Sequence, residues 1–319
     1  MGILDNLLGA FLKLTDPTPR YTGKRCLVEK YAVGGCDECL QVCPHETIDL
    51  SHFRVEIDDT KCTGCGLCVQ VCPGLALEYA LGPTQEAITK GRGQLKCSRA
   101  EGGGQEVYCL GRLTPGLLAE AGSRLGPLTL ARGDCENCKI GGPTVPEQLE
   151  KVIAEARHYY PELEVKITTE ALPGPVFGRR ELFQQLVGGT VRMAAEVIPE
   201  PPKQWGFDEE AEEEDLHAEL RLRQAAAARS QGEVRWPAVT VSDACTLCPV
   251  CTNVCPTGAI RRERDGDEYV LELEVAACTG CAACIVSCPP QAMDLIEAGR
   301  EAVLAEEPLE LLRGEPEWS

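Results

Sequence analysis

Cysteine is the residue type that dominates the chemistry open to this chain, with 20 among its 319 residues. Two similar runs of four lie towards the C-terminal end, and each run ends in a Cys-Pro pair. Their eight cysteines are Cys245, Cys248, Cys251, Cys255, Cys278, Cys281, Cys284 and Cys288. Cysteines at this density form disulfides, zinc sites or iron–sulfur sites. Four-cysteine runs that end in proline are typical of iron–sulfur sites, whereas zinc sites usually use paired cysteines or cysteine with histidine.

The spacing also indicates how these cysteines divide between two clusters. A cubane cluster needs four thiolates at tetrahedral corners, and three closely spaced cysteines wrap a loop around it. The fourth ligand is the Cys-Pro cysteine of the other run, where proline lacks an N–H and ends the loop. We therefore predict two [4Fe–4S] sites, and we number all sites along the chain. Site four consists of Cys245, Cys248, Cys251 and Cys288, and site five of Cys255, Cys278, Cys281 and Cys284.

The N-terminal part of the chain repeats this pattern with one defect. Its first run lacks the leading cysteine, and Val33 stands at that position. We predict that Cys26 completes the first site across a loop that contains Gly34 and Gly35. The alternative is a three-ligand [3Fe–4S] site with Cys26 merely buried. Site one consists of Cys26, Cys36, Cys39 and Cys72, and site two of Cys43, Cys62, Cys65 and Cys68.

Both pairs of runs resemble the bacterial two-[4Fe–4S] ferredoxin family, over about residues 26–80 and 239–297. The resemblance implies pseudo-symmetric modules, in which each half carries a cluster loop, a short helix and short strands. Alternating apolar and polar residues over 54–58 and 269–273 favour strands in both modules.

Four cysteines remain in the middle of the chain, and we group them as site three. Around them, residues 105–108, 128–131 and 163–168 favour strands, while 114–124 and 146–160 favour helices. This alternation predicts a small parallel α/β unit. Such sheets bind ligands at the carboxyl ends of their strands, where some of these cysteines would lie. Site three consists of Cys97, Cys109, Cys135 and Cys138.

Two stretches of the middle segment carry a second resemblance. Cys109-Leu110-Gly111-Arg112 precedes a predicted helix, and Gly133-Asp134-Cys135 follows the next predicted strand. Over roughly residues 95–142 the chain resembles the delta iron–sulfur subunit of hydrogenases that work with heterodisulfide reductase, a family that holds [2Fe–2S]. This chain has the single Cys97 where that family has a close pair, and no histidine follows Cys138. We predict [2Fe–2S] or [4Fe–4S] at site three, with zinc as the lesser alternative.

Charge and hydropathy limit the partners and the compartment. The formal charge of −19, from 50 acidic and 31 basic residues, argues against nucleic acid as a partner. It favours basic or neutral proteins. No apolar stretch approaches the roughly 18 residues of a membrane span, and the N-terminus lacks the features of a signal peptide. We therefore expect a cytoplasmic protein without a transmembrane segment, whose thiols stay reduced.

The predicted fold class is α+β, with two ferredoxin-like dicluster modules that flank a small parallel α/β unit. Residues 1–25 form an N-terminal amphipathic helix and lead-in, and 26–90 form the first dicluster module. Residues 91–172 form the α/β unit, and 173–236 form a helical and acidic linker. The second dicluster module covers 237–298, and a C-terminal tail covers 299–319.

The sequence contains few signs of catalysis. None of its four histidines belongs to a hydrolytic or zinc-binding motif, and there is no phosphate-binding or nicotinamide-binding fingerprint. We expect an electron carrier that is not an enzyme by itself. It would serve as an auxiliary subunit that passes electrons between the other redox subunits of a hetero-oligomer. Candidate hosts are a hydrogenase, formate dehydrogenase or heterodisulfide-reductase-like complex. The alternatives are a free multicluster ferredoxin shuttle, or a redox-sensing or assembly iron–sulfur protein.

Overall fold

The structure is a computed structural model that describes residues 17–31, 36–173 and 216–315. The predicted N-terminal helix and most of the predicted helical and acidic linker lie outside these residues. Helices and strands are mixed, and a parallel sheet lies between two ferredoxin-type modules. Within the described ranges, no helix has the length and apolar character needed to cross a bilayer.

The first module consists of short elements around two cysteine loops. Its strands are β1 (Arg20–Tyr21), β2 (Ile48–Asp49), β3 (Glu56–Ile57) and β4 (Leu77–Glu78). Its helices are α1 (Leu27–Tyr31), α2 (Glu38–Val42) and α3 (Leu67–Val71). β1 pairs antiparallel with β4, and β2 pairs antiparallel with β3. Helices α2 and α3 each end at the cysteine of a Cys-Pro pair, Cys43 and Cys72, because proline cannot continue the backbone hydrogen bonding.

The middle unit is built on a four-stranded parallel sheet in the order β6-β5-β7-β8. Its elements are α4 (Leu81–Lys90), β5 (Gln94–Cys97), β6 (Gln105–Val107), α5 (Pro115–Leu125), β7 (Leu128–Ala131), α6 (Thr144–Tyr159) and β8 (Val165–Thr168). The three predicted strands and both predicted helices are present. Strand β5, which carries Cys97, was not predicted from the sequence, although its buried residues, Leu95 and Cys97, alternate with the less buried Gln94 and Lys96.

The start of α5 follows from its local sequence. The side-chain oxygen of Thr114 accepts a hydrogen bond from the backbone N–H of Leu117, and Pro115 occupies the first turn. These residue types are preferred at the beginning of a helix. Gly126, at φ +82°, ends the helix in a conformation that favours glycine.

The second module begins after a helix and continues past the predicted boundary. Its elements are α7 (Ala218–Arg229), β9 (Trp236–Val241), α8 (Val250–Val254), β10 (Ile260–Asp265), β11 (Glu268–Leu273), α9 (Ala283–Val286), β12 (Met293–Ala298), α10 (Arg300–Val303) and β13 (Leu309–Gly314). β9 pairs antiparallel with β12, and β11 lies between β10 and β13. The predicted tail therefore supplies β13 as a third strand, so the module does not end at residue 298.

Helix α7 corrects the predicted linker as well. It packs against α5 and buries Leu220, Ala226 and Ala227, so this end of segment 173–236 belongs to a packed core. The middle unit and the second module share that core. Its centre includes Trp236, whose ring lies 4.9 Å from the ring of Tyr159 in an edge-on contact. The first module has a smaller core of its own.

Candidate iron–sulfur sites

The four cysteines of site one come from three elements and line one cavity with an empty volume of about 350 Å³. Cys26 directly precedes α1, Cys39 lies within α2, and Cys72 follows α3. Cys26 lies with the other three cysteines rather than apart from them. Its role as a fourth ligand stays a prediction, and its position agrees with that role.

Site two has the same form. Its four cysteines line a cavity of about 340 Å³, together with His45, Thr47 and Thr63. Three of the cysteines come from the loop before α3 and from the start of that helix, and Cys43 follows α2. The thiol of Cys68 is within electrostatic range of Cys39 of site one, so the two sites of this module are neighbours.

Site three lies at the carboxyl ends of the parallel strands, as predicted for an open α/β sheet. Cys97 is the last residue of β5, Cys109 follows β6, and Cys135 and Cys138 follow β7. All four line a cavity of about 340 Å³. The empty volume matches those of sites one and two.

The cysteines of sites four and five group as predicted from their spacing. Cys251 is within electrostatic range of Cys245, Cys248 and Cys288. The thiol of Cys284 is within range of Cys255, Cys278 and Cys281. Cys284 is also within range of Cys251, so sites four and five are neighbours.

All 20 cysteines are free thiols, with no disulfide between them. Among the described residues, no three Cys, His, Asp or Glu side chains lie close enough together to hold a single metal ion. A tetrahedral zinc ion needs its sulfur ligands about 2.3 Å from one centre. A run of four cysteines that ends in proline is typical of iron–sulfur clusters rather than of zinc sites.

Backbone N–H groups point at the sulfurs of three Cys-Pro cysteines. Ala76 N–H donates to Cys72 Sγ at 3.2 Å, Ala259 N–H to Cys255 Sγ at 3.2 Å, and Ala292 N–H to Cys288 Sγ at 3.3 Å. In each case the donor is the alanine four residues after the cysteine. At the fourth such cysteine, Cys43, the corresponding residue is Thr47, whose hydroxyl lies 3.3 Å from the sulfur. Sequence analysis missed this repeated alanine, although it is visible in the runs CPGLA, CPTGA and CPPQA.

Site three has donors of the same kind. Gly133 N–H donates to Cys97 Sγ at 3.3 Å, Gly111 N–H to Cys109 Sγ at 3.4 Å, and Ile140 N–H to Cys138 Sγ at 3.4 Å. Such hydrogen bonds stabilise charge on ligating sulfurs and influence reduction potentials. These backbone N–H groups would stabilise thiolate ligands at site three, as the corresponding N–H groups would in the ferredoxin loops.

Burial works against thiolates in the absence of a cationic core. Burial, with a smaller contribution from neighbouring cysteines, raises the pKa of Cys39, Cys109, Cys251, Cys278 and Cys284 to about 12. At neutral pH these groups would hold their protons. Thiolates become stable only when the positive charge of a bound cluster core compensates them. The donor set, its N–H groups and its spacing together fit iron–sulfur clusters.

Sites two and three meet at one backbone carbonyl. His45 Nε2 donates to the carbonyl oxygen of Ile140 at 2.8 Å, and Thr63 Oγ1 donates to the same oxygen at 2.6 Å. Thr63 follows Cys62 of site two, and Ile140 is two residues after Cys138 of site three. The sequence alone gave no sign of this role for His45.

A close backbone approach reinforces the same contact. A Cβ atom on Gly111 would lie 2.6 Å from the carbonyl oxygen of Cys65, so only glycine fits between the two loops. The thiol of Cys109 is within electrostatic range of Cys65. Sites two and three are therefore adjacent, although they belong to different structural units.

Comparison with known protein families supports this description of the two outer modules. Residues 18–76 and residues 244–293 each match a 4Fe–4S dicluster domain. No curated protein matches the chain. In these two segments the chain belongs to the dicluster ferredoxin family, twice over. Iron–sulfur domains of this kind indicate electron transfer.

Proposed function

We propose that the chain is a non-catalytic electron-transfer subunit of a larger oxidoreductase complex. It would hold four [4Fe–4S] clusters at sites one, two, four and five, and one further cluster at site three. When bound, such clusters supply one-electron transfer at potentials set by their surroundings. The observation that carries the proposal is the adjacency of the cysteine quartets. Site three adjoins site two through the Ile140 carbonyl, and cysteines of sites one and two, and of sites four and five, lie within electrostatic range of each other.

The protein's own residues contribute ligation, hydrogen bonding and exclusion of water. Each quartet is held by backbone loops, and backbone N–H groups donate to sulfurs of sites one, three, four and five. Burial of Cys39, Cys109 and Cys284 keeps solvent from these sulfurs. Low exposure and hydrogen bonds to sulfur are the means by which a protein sets cluster potentials.

The four-iron form is the better fit at site three. Its cavity has about the same empty volume, 340 Å³, as the cavity of site two. Its three N–H donors are of the same kind as those of the ferredoxin loops.

Membership in a complex is supported by the resemblance of residues 95–142 to the delta iron–sulfur subunit of heterodisulfide-reductase-associated hydrogenases. Hydrogenase, formate dehydrogenase and heterodisulfide-reductase-like complexes are the candidate hosts. In each, catalysis would belong to another subunit.

Anaerobic purification of the tagged chain from its source cells tests the proposal. We expect a complex of fixed stoichiometry that contains at least one further redox subunit. The chain alone should accept and donate electrons reversibly, without turnover of hydrogen, formate or a nicotinamide. Recovery of the chain only as a free monomer would favour a ferredoxin shuttle, and turnover by the chain alone would overturn the non-catalytic assignment.

A further inference from the structure

Lys30 connects a ligand of site one with a ligand of site five. Its backbone N–H donates to the carbonyl oxygen of Cys26 at 2.9 Å, one helical turn earlier in α1. Its side-chain Nζ donates to the carbonyl oxygen of Cys255 at 2.7 Å. Since Cys26 belongs to site one and Cys255 to site five, a single residue joins the two ferredoxin modules at their cysteine loops.

The two Cys-Pro loops also meet directly beside this contact. Gly74 is two residues after Cys72 of site one, and Pro256 follows Cys255 of site five. A Cβ atom on Gly74 would lie 3.4 Å from Pro256 Cβ and would collide with the carbonyl oxygen of Arg25. The two loops therefore lie next to each other, and the Arg25 carbonyl oxygen, within the first module, is what restricts position 74 to glycine.

A cleft provides a third indication that sites one and five face each other. It lies between the modules, and its lining includes both Cys72 of site one and Thr279, which stands between the site-five cysteines Cys278 and Cys281. With the contacts described above, the quartets follow one another in the order three, two, one, five, four.

The charge of Lys30 lies beside the sulfurs of site five. Its ammonium interacts electrostatically with Cys255 and Cys281, although the residue is carried by the first module. Reduction of a cluster adds negative charge, and a nearby cation stabilises the reduced form relative to the oxidised form. A cation at this position raises the reduction potential of a cluster at site five.

We propose that Lys30 is a positioning residue that fixes the first module against site five and raises the reduction potential of that site. This assignment rests on the proposed function, because it needs a cluster at site five. It goes further by naming the residue that links the two modules and the site on which its charge acts.

An EPR-monitored redox titration of the full-length holoprotein tests the assignment. Lys30→Met removes the charge and keeps the length of the side chain, whereas Lys30→Arg keeps the charge. Lys90→Met is the matched control, since Lys90 pairs with Glu86 at 2.6 Å on the exposed surface of α4 and its loss changes the net charge equally. The signal of site five is identified by its change in a Cys281→Ser variant.

We expect Lys30→Met to lower the equilibrium constant for reduction of site five about tenfold, which is about 59 mV for one electron. Lys30→Arg and Lys90→Met should each stay within about twofold of the wild type. Loss of iron at site five in Lys30→Met, with retention in Lys30→Arg, would also support the positioning role.

An unchanged midpoint at site five in Lys30→Met, with full iron content, would overturn the assignment. An equal shift in Lys90→Met would do the same. In both cases the assignment of Lys30 would fail, but reversible reduction of the clusters would still support the proposed electron-transfer function. Absence of iron or of reversible reduction in the wild type would instead contradict the proposed function itself.

Discussion

Glu219 is a buried carboxylate that joins α7 to the N-terminus of α5, and its removal should weaken the shared core. Its side chain is 4% exposed, and it accepts hydrogen bonds from the Thr114 hydroxyl and from Gly116 N–H at 2.6 Å. Arg223, 7% exposed, donates to it at 2.9 Å. A carboxylate at a helix N-terminus is favourable because unpaired N–H groups and the helix dipole meet it there.

The perturbation is Glu219→Ala, which leaves Arg223 buried without its main partner. Removal of one member of a buried ion pair costs roughly 3–5 kcal/mol. The lower end applies here, because Arg223 still donates to Tyr159 Oη at 2.7 Å and lies 3.1 Å from Glu155. About 3 kcal/mol corresponds to a fall in Tm of roughly 6–12 °C for a cooperative unit of 150–250 residues.

The assay is anaerobic calorimetry of the holoprotein, with Glu147→Ala as the matched control. Glu147 also pairs with a cation four residues along a helix, Lys151 at 2.8 Å, but its side chain is 72% exposed. Exposed pairs contribute about 0.2–1 kcal/mol, so this control should move Tm by no more than about 4 °C.

A double-mutant cycle separates the pair from its surroundings. Glu219→Ala with Arg223→Ala removes both charges and leaves neither one buried alone, so the double variant should lose less stability than the sum of the single variants. The reasoning would be refuted if Glu219→Ala lowered Tm no more than Glu147→Ala, or if the two single losses were additive.

Three further variants probe the sites and their contacts. Cys97→Ala should lower the iron content by about four per chain and leave the other four clusters in place, as measured by iron analysis and EPR. Gly74→Ala should lower Tm because of the collision at the junction of the modules, whereas Gly82→Ala, which meets nothing within 4 Å, should not. Burial raises the pKa of Glu78, but the hydrogen bond from His217 and the positive charges of Arg25, His217 and Arg20 together outweigh burial and lower that pKa. A lowered pKa stabilises the fold above the unfolded value of about 4.3 and less as pH falls through the folded value. Glu78→Gln should therefore lower Tm at about pH 7, and the difference from the wild type should shrink below about pH 4.

The grouping of cysteines around common cavities could be predicted because cluster loops are local. The spacing of Cys62, Cys65 and Cys68 confines their sulfurs to one tight turn, whatever lies around it. The exchange of the fourth ligand between paired runs made Cys43 predictable as well. Cys26 was harder, since its distance along the chain from Cys36 is not the usual one, and only the packing of α1 brings it to site one.

The contacts between the modules were not predictable, because each depends on residues that carry no local pattern. No local pattern distinguishes Lys30 from the other lysines of the sequence. Its hydrogen bond to the carbonyl of Cys255 exists only in the folded chain, so it could not be predicted. Strand β13 was assigned to the C-terminal tail, because its pairing with β11 joins residues that are far apart in the sequence. Helix α7 was assigned to the linker, and its burial against α5 comes from tertiary packing of a helix whose apolar residues are mostly alanine.

Iron, acid-labile sulfide and zinc per chain, measured on anaerobically purified protein, test the central claim most directly. Five four-iron clusters predict about 20 iron and 20 sulfide, with no zinc, and a [2Fe–2S] cluster at site three would give about 18 iron. About 16 iron with one zinc would make site three a structural metal site and limit electron transfer to the two ferredoxin modules. Little iron, with free thiols or disulfides in its place, would contradict the electron-transfer account.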